Sequence, residues 1–162
     1  MRYRLHKLLY GPVGSTQVEH LERGPTKFDD DLQVPYLRGA LEFVRLSDVV
    51  LLRGSVETEV AVQCARSLEG FNLCLKVPLD DILLGLPQYP HSDADPDRRI
   101  GDDGWIDLTE TLREEIIMAI PINPIHPKYA QASTADLLDA LDEDDQDWLT
   151  IHLSNSQESG ES

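Results

Sequence analysis

Three aspartates in the middle of the chain have the spacing with which a calcium-binding loop begins. Asp93, Asp95 and Asp97 would occupy its first, third and fifth positions. The sixth position, however, is Arg98 where the loop needs glycine, and the twelfth is Gly104 where it needs a bidentate glutamate. The sequence therefore favours a solvated acidic loop over a cation site.

Other templates for chemistry also fail. The segment "GPVGST", residues 11–16, lacks the lysine and the spacing of a phosphate-binding P-loop. No segment matches a Gly-x-Ser-x-Gly elbow or His-Glu-x-x-His. We therefore expect no catalytic residue, no metal site and no cofactor, and a protein that is not an enzyme. A hydrolase that uses the Asp or His side chains of residues 91–107 is an alternative, but only the carboxylate cluster motivates it.

The net charge of −16 is carried by one half of the chain. Residues 1–78 hold ten Lys and Arg against ten Asp and Glu, whereas residues 79–162 hold four against twenty. Because phosphate contacts require Lys and Arg, the second half should repel RNA and suit a basic protein. The alternative is RNA binding through cations of the neutral half, where Arg2, Arg4 and Lys7 could contribute to a basic face and the site candidates are Arg38, Arg45, Arg53 and Arg66.

The expected location is the cytoplasm. The chain has two cysteines, Cys64 and Cys74, and no N-terminal apolar run of the length that a signal peptide needs. No window approaches the roughly 18 apolar residues of a membrane span. We therefore expect reduced thiols and no contact with a membrane.

Alternating apolar residues predict an antiparallel sheet in the first half of the chain. Residues 56–64 and 71–77 alternate with period two, which indicates two strands joined by a short connection. The apolar run before them divides at residues 47–48 and is bounded by Gly39 and Gly54. A meander of at least four strands is predicted, to which the first ten residues could add an edge strand.

The spacing changes to that of a helix in the second half. Residues 85–104 are rich in Pro, Asp and Gly, which predicts an exposed, mobile loop with little to bury. A helix is then predicted near residues 107–119, with Asp107 and Glu110 placed as a capping box. Its apolar stripe consists of Leu108, Leu112, Ile116 and Ala119.

Three prolines follow this helix at intervals of three residues. Pro121 cannot continue a helix and disfavours helical geometry at the residue before it. The spacing of "PINPIHP", residues 121–127, favours polyproline II and places Ile122 and Ile125 to pack. This proline strap either lies across the core, which we favour, or serves as a docking ligand.

Two segments, "VQCARSLEGF" and "IDLTETLREEIIMAIPINPIHP", resemble the YceD family over roughly residues 38–130. Ser67 and His126 stand where the family pattern has further cysteines, so only Cys64, His126 and Cys74 are left as zinc ligands. A zinc site needs about four ligands, and none is expected here. The residues that match the family pattern are Cys64, Arg66, Leu68, Asp107, Leu108, Pro121 and Pro124.

The resemblance implies a role in ribosome biogenesis, in the accumulation of large-subunit ribosomal RNA. Residues 136–147 hold seven carboxylates and no cation, and could bind a basic ribosomal protein or an assembly intermediate, with any contact to ribosomal RNA indirect. A solubilising tail is the alternative. The predicted partner-binding residues are Leu137, Leu141, Asp142, Glu143, Asp144, Asp145, Asp147 and Trp148.

We therefore predict an α+β fold, in which an antiparallel β-meander is packed by a helix from the C-terminal half. The predicted domains are a YceD-like α+β domain at residues 1–132 and an acidic amphipathic segment with a disordered tail at residues 133–162.

Overall fold

A computed structural model describes residues 1–92, 94 and 98–130. The chain forms two compact units, Met1–Pro124 and Ile125–Ser162. The predicted acidic segment and most of the second unit lie outside the described residues, so the predicted boundary after residue 132 stays a prediction. Within the described residues, no helix is both long and apolar enough to cross a membrane.

The first unit contains eight strands and two helices among its described residues. In chain order they are β1 (Arg2–Arg4), α1 (His6–Tyr10), β2 (Thr16–Arg23), β3 (Thr26–Lys27), β4 (Gln33–Val34), β5 (Leu37–Arg45), β6 (Val49–Gln63), β7 (Gly70–Gly85), β8 (Trp105–Asp107) and α2 (Thr109–Ala119).

The main sheet has four antiparallel strands in the order β2-β5-β6-β7. The predicted pair of strands is confirmed as the long hairpin of β6 and β7, and the predicted four-stranded meander is present. Its composition differs from the prediction, because β2 supplies one strand and residues 49–63 form a single strand. The α+β class is confirmed.

Gly54 lies inside β6 and does not bound a strand as predicted. A side chain there would place its Cβ 2.1 Å from the carbonyl oxygen of Ala40 on β5, and φ is +145°. Only glycine allows the two backbones to approach so closely in this conformation. The pairing of β6 with β7 is also irregular here, because its register shifts between Leu52 and Gly54. On β7, Asp81 has a positive φ of 54°.

The core lies between the inner face of the main sheet and the elements that cover it. The predicted stripe of α2 is confirmed, because Leu108, Leu112 and Ile116 are all buried and Ala119 packs against the same core. The helix ends at Ala119, as the position of Pro121 predicts.

The segment after β7 buries more than its composition predicts. Leu86 and Ile100 are fully or almost fully buried. Gly85 holds the segment by donating its N–H to Arg98 O and accepting from Ile100 N–H, both at 2.8 Å. The prediction that residues 85–104 have almost nothing to bury is therefore wrong for these residues, since backbone pairing brings their apolar side chains inward.

The first residues do not extend the main sheet. β1 pairs with β8 in a separate two-stranded ribbon, and residues 6–10 form helix α1. Tyr3 points from the ribbon into the core, where its ring lies 6.0 Å from that of Phe43. The predicted edge strand therefore exists only as β1, in a different sheet.

The proline strap leaves one of its isoleucines in solvent. Ile122 is 97% exposed, so the prediction that it packs is wrong, whereas Ile125 is half-buried. The strap ends in a new helical turn, α3 (Pro127–Ala130), within the second unit. His126 begins this turn by accepting the Lys128 N–H at its Nδ1, 3.0 Å away, and Pro127 takes the first helical position.

Candidate functional site

The first family motif forms a tight turn at the end of the β6–β7 hairpin. Cys64 N–H donates to Glu69 O at 2.8 Å, and Leu68 N–H donates to Cys64 O at 2.9 Å. Gln63 Nε2 also donates to Leu68 O at 2.8 Å. These bonds hold Leu68 at a φ of 61° with its side chain 68% exposed, while Cys64 is fully buried.

The second motif meets this turn through the strap. Ala65 N–H donates to Pro124 O at 2.8 Å, so the fold joins two motifs that are about sixty residues apart in the sequence. Arg66 and Leu68 are exposed in the turn, and Ile122 is exposed in the strap. Within residues 1–124, the strap is thus packed through its backbone but presents an apolar side chain outward.

The remaining motif residues position α2. Leu108 is fully buried and donates its N–H to Met1 O at 2.9 Å. Asp107 Oδ1 accepts the backbone N–H of Thr109 at 2.9 Å, and the Met1 ammonium at the same distance. Hydrogen bonds from Thr109 and the ammonium lower the pKa of the Asp107 carboxyl to about 2.

The predicted capping box of Asp107 and Glu110 is not formed, so that prediction is wrong. The N-cap of α2 is Leu108, which has no side-chain cap, and Asp107 precedes it, with its carboxylate accepting the Thr109 N–H. Glu110, however, forms an ion pair with Arg113 at 3.0 Å, one turn further along α2. Asp107 and Leu108 therefore fix the start of the helix and join it to the first residues of the chain.

The four arginines proposed for RNA contact do not form one surface. Arg45 is 7% exposed, and its Nε and Nη1 are buried without a hydrogen-bond partner within the described part of the chain. The prediction that Arg45 is a surface cation is wrong, because the strand alternation that buries Leu41 and Phe43 carries Arg45 to the same face. Arg66 lies in the motif turn, away from the middle of the sheet.

The two others share the outer face of the main sheet with acidic residues. Arg53 Nε lies 2.6 Å from Glu42 Oε2, and this hydrogen bond lowers the pKa of the Glu42 carboxyl. Arg38 lies over the ring of Tyr36 and is paired across the sheet with Glu57 on one side and Glu22 on the other. Positive and negative side chains alternate here, so this face does not provide the basic surface that phosphate binding needs.

The described residues contain no group of three or more His, Cys, Asp or Glu side chains that could hold a metal ion. Cys74 lies on the exposed outer face of β7, where its sulfur donates to Glu59 Oε1 at 3.5 Å. That hydrogen bond raises the pKa of the Cys74 thiol. The three aspartates of the calcium-like spacing, Asp93, Asp95 and Asp97, lie outside the described residues.

A basic and aromatic surface at the N-terminus joins two cations of the predicted basic face to a ring that was not predicted to lie beside them. The arginines of β1, Arg2 and Arg4, lie on the exposed face of the β1–β8 ribbon together with Trp105. The sequence shows the alternation of Arg2, Tyr3 and Arg4. It contains no signal for the pairing with Trp105, about a hundred residues away.

The predicted partner-binding residues, from Leu137 to Trp148, lie outside the described residues. Their carboxylate content is a property of the sequence alone. The site that the structure does define is the contact between the Cys64–Glu69 turn and the strap, on an α+β domain built around a long hairpin.

Comparison with known proteins identifies the class to which this fold and its motifs belong. The family described as "Large ribosomal RNA subunit accumulation protein YceD" matches residues 52–158, about two thirds of the chain. The chain therefore belongs to the YceD family, and its family is associated by name with accumulation of the large-subunit ribosomal RNA. No curated protein and no solved structure matches the chain significantly.

Proposed function

We propose that this protein is a non-catalytic ribosome biogenesis factor that supports large-subunit ribosomal RNA accumulation by binding a basic ribosomal protein. The observation that carries the proposal is the charge of residues 136–147, with seven carboxylates and no Lys or Arg. Such a segment attracts a strongly basic partner and raises the rate of encounter. While bound, it would also compete with RNA for the partner's cations.

Apolar side chains within and beside this acidic run give the proposed contact more than charge. Leu137 and Leu141 are four residues apart, and Trp148 follows the carboxylates directly. Buried aromatic side chains such as Trp supply much of the binding energy in protein interfaces, apolar neighbours help to exclude water, and charges at the rim mainly set rate and selectivity. We therefore assign affinity to the apolar residues and partner choice to the carboxylates.

The charges of the folded unit are compatible with a cationic partner. The outer face of the main sheet carries paired or alternating charges, and residues 1–78 have no net charge. The first unit as a whole is acidic, with 13 Lys and Arg against 21 Asp and Glu in residues 1–124, so it would add to the attraction of a cationic partner. Direct RNA binding through Arg38, Arg45, Arg53 and Arg66 is disfavoured, since one is buried and another is ion-paired.

The proposal is tested by measuring binding of purified basic large-subunit ribosomal proteins to the full chain after RNase treatment. In the test variant, Asp144→Asn and Asp145→Asn remove two carboxylates from the acidic segment. In the matched control, Asp80→Asn and Asp81→Asn remove two exposed carboxylates from β7. We expect the test variant to bind about three- to tenfold more weakly at low salt, and the control to bind like the wild type.

Raising the salt concentration should reduce the difference between the test variant and the wild type. Equal weakening in both variants would instead mean that the partner responds to net charge alone. If deletion of residues 133–162 left both the affinity and its salt dependence unchanged, the acidic segment would be a solubilising tail and the proposal would be refuted.

A further inference from the structure

The exposed face of the β1–β8 ribbon combines cations with an aromatic ring. Arg4 is the direct cross-strand partner of Trp105, and the Arg2 guanidinium lies 5.4 Å from the centre of the Trp105 ring. The indole is 37% exposed. Two guanidinium groups and one large ring thus share a surface only three residues long on each strand.

The basic surface continues into a groove beside the ribbon. Arg4, His6 and Lys7 line a cavity of about 710 Å³ whose other lining residues include Ser15, just before β2, and Gln17 in β2. Of its ten lining residues, Glu19 is the only acid, and its Oε1 accepts a hydrogen bond from Gln17 Nε2 at 2.8 Å. The groove therefore presents more positive than negative charge.

The local charge contrasts with that of the whole chain. Residues 1–18 contain three Lys and Arg and no Asp or Glu, in a protein with a net charge of −16. Three acids lie in or just before β8. Asp107 is hydrogen-bonded to Thr109 and Met1, and Asp103 accepts the Trp105 N–H. Asp102 is exposed.

Gly104 keeps the ribbon and the groove together. It has a φ of +80°, and a Cβ there would lie 2.9 Å from the Cα of His6. Its carbonyl oxygen also accepts the Leu5 N–H at 2.7 Å. The start of α1, which supplies His6 and Lys7, is thereby held against the turn that precedes Trp105.

We propose that this N-terminal surface binds a short single-stranded segment of RNA. Guanidinium groups bind phosphate oxygens through paired hydrogen bonds, and an exposed aromatic ring provides a plane on which bases stack. The acidic remainder of the chain disfavours a long or duplex ligand, because further phosphates would meet negative charge. This site is independent of the ribosomal-protein contact proposed above and uses none of its residues.

The test is a titration of a fluorescently labelled, unstructured RNA oligonucleotide with the full chain, followed by anisotropy at several salt concentrations. The test variant carries Arg2→Gln and Arg4→Gln. The control carries Arg38→Gln and Arg53→Gln, which remove the same number of guanidinium groups from the outer face of the main sheet. Circular dichroism establishes that both variants are folded.

We expect the test variant to bind RNA about tenfold more weakly and the control to bind like the wild type. Loss of two phosphate contacts to a single strand should also make the slope of log affinity against log salt shallower by about 1.4. Equal binding by the test variant and the wild type, or equal weakening in the two variants, would overturn the proposal.

Two further measurements separate RNA from other anions. Trp105→Phe should retain binding and Trp105→Ala should lose much of it, because a ring is needed for base stacking. Inorganic tripolyphosphate should compete poorly; if it displaced the RNA at equal phosphate concentration, the surface would be a simple anion site and the RNA assignment would be wrong. The Asp144→Asn, Asp145→Asn variant should retain RNA binding, so this proposal and the preceding one can fail separately.

Discussion

Asp107 links the first residue of the chain to the start of α2, and its replacement by Asn should destabilise the fold. The Thr109 hydroxyl donates to its Oδ1 at 2.5 Å, and the Met1 ammonium does so at 2.9 Å. Mainly because of the Thr109 bond, the pKa of the carboxyl falls from 3.8 to about 2. At about 1.4 kcal/mol per pH unit, this change sets an upper limit of about 2.5 kcal/mol.

Solvent screening reduces that limit, since the Asp107 side chain is 57% exposed. We expect Asp107→Asn to lower the free energy of unfolding by about 1 kcal/mol at pH 7. The carboxyl ionises more easily in the folded state than in the unfolded state. Its stabilisation is therefore complete above the unfolded-state pKa of about 4 and is lost as the pH falls toward about 2.

Urea unfolding followed by circular dichroism measures this effect on protein without an N-terminal tag, which would displace the Met1 ammonium. The difference between wild type and Asp107→Asn should be smaller at pH 3 than at pH 7. Glu115→Gln, which removes a partly exposed carboxylate from the same helix, should change stability little. Equal stability of wild type and Asp107→Asn at pH 7 would refute the assigned role, as would a carboxyl that titrates near 3.8 by NMR.

Three further predictions concern the packing of the first unit. Gly54→Ala should destabilise the protein by about 2 to 4 kcal/mol in chemical unfolding, because its Cβ would meet backbone 2.1 Å away; a neutral effect would contradict the close approach of β5 and β6. Ile116→Ala should lower the free energy of unfolding by about 2 to 5 kcal/mol, whereas Ile122→Ala, at an exposed position, should lower it by less than about 0.5 kcal/mol. Equal losses would contradict the burial of Ile116 and the exposure of Ile122. Ala65→Pro removes the N–H that donates to Pro124 and should cost about 1 kcal/mol and speed amide exchange in the strap; unchanged exchange would mean that this bond does not hold it.

The elements that the sequence predicts well are those with a long, regular pattern. The alternation at residues 56–64 and 71–77 and the stripe of α2 each extend over several repeats, so burial of one face leaves a clear signal. A three-residue strand such as β1 contains no full pattern. Its pairing with β8 depends on the packing of Tyr3 and Ile106 into a core that the rest of the chain builds.

The burial of Arg45 could be predicted from the sequence, whereas the ion pair of Arg53 could not. Continuing the alternation of Leu41 and Phe43 by one step places Arg45 on the buried face, so its exclusion from a surface site was predictable. The neutralisation of Arg53 was not, because it requires the register that sets Glu42 opposite Arg53. Charge along a sequence therefore identifies cations but not which of them have acidic neighbours.

The extent of the family match bears on which surfaces can carry the shared function. The match begins at residue 52, inside β6, yet β5 lies between β2 and β6 in the sheet and supplies the buried Leu37, Leu41 and Phe43. The matched segment is thus only part of the folding unit. Residues 136–147 fall inside the match, whereas Arg2 and Arg4 fall outside it. The proposed ribosomal-protein contact therefore lies inside the segment that matches the family, whereas the proposed RNA-binding surface depends on residues outside it.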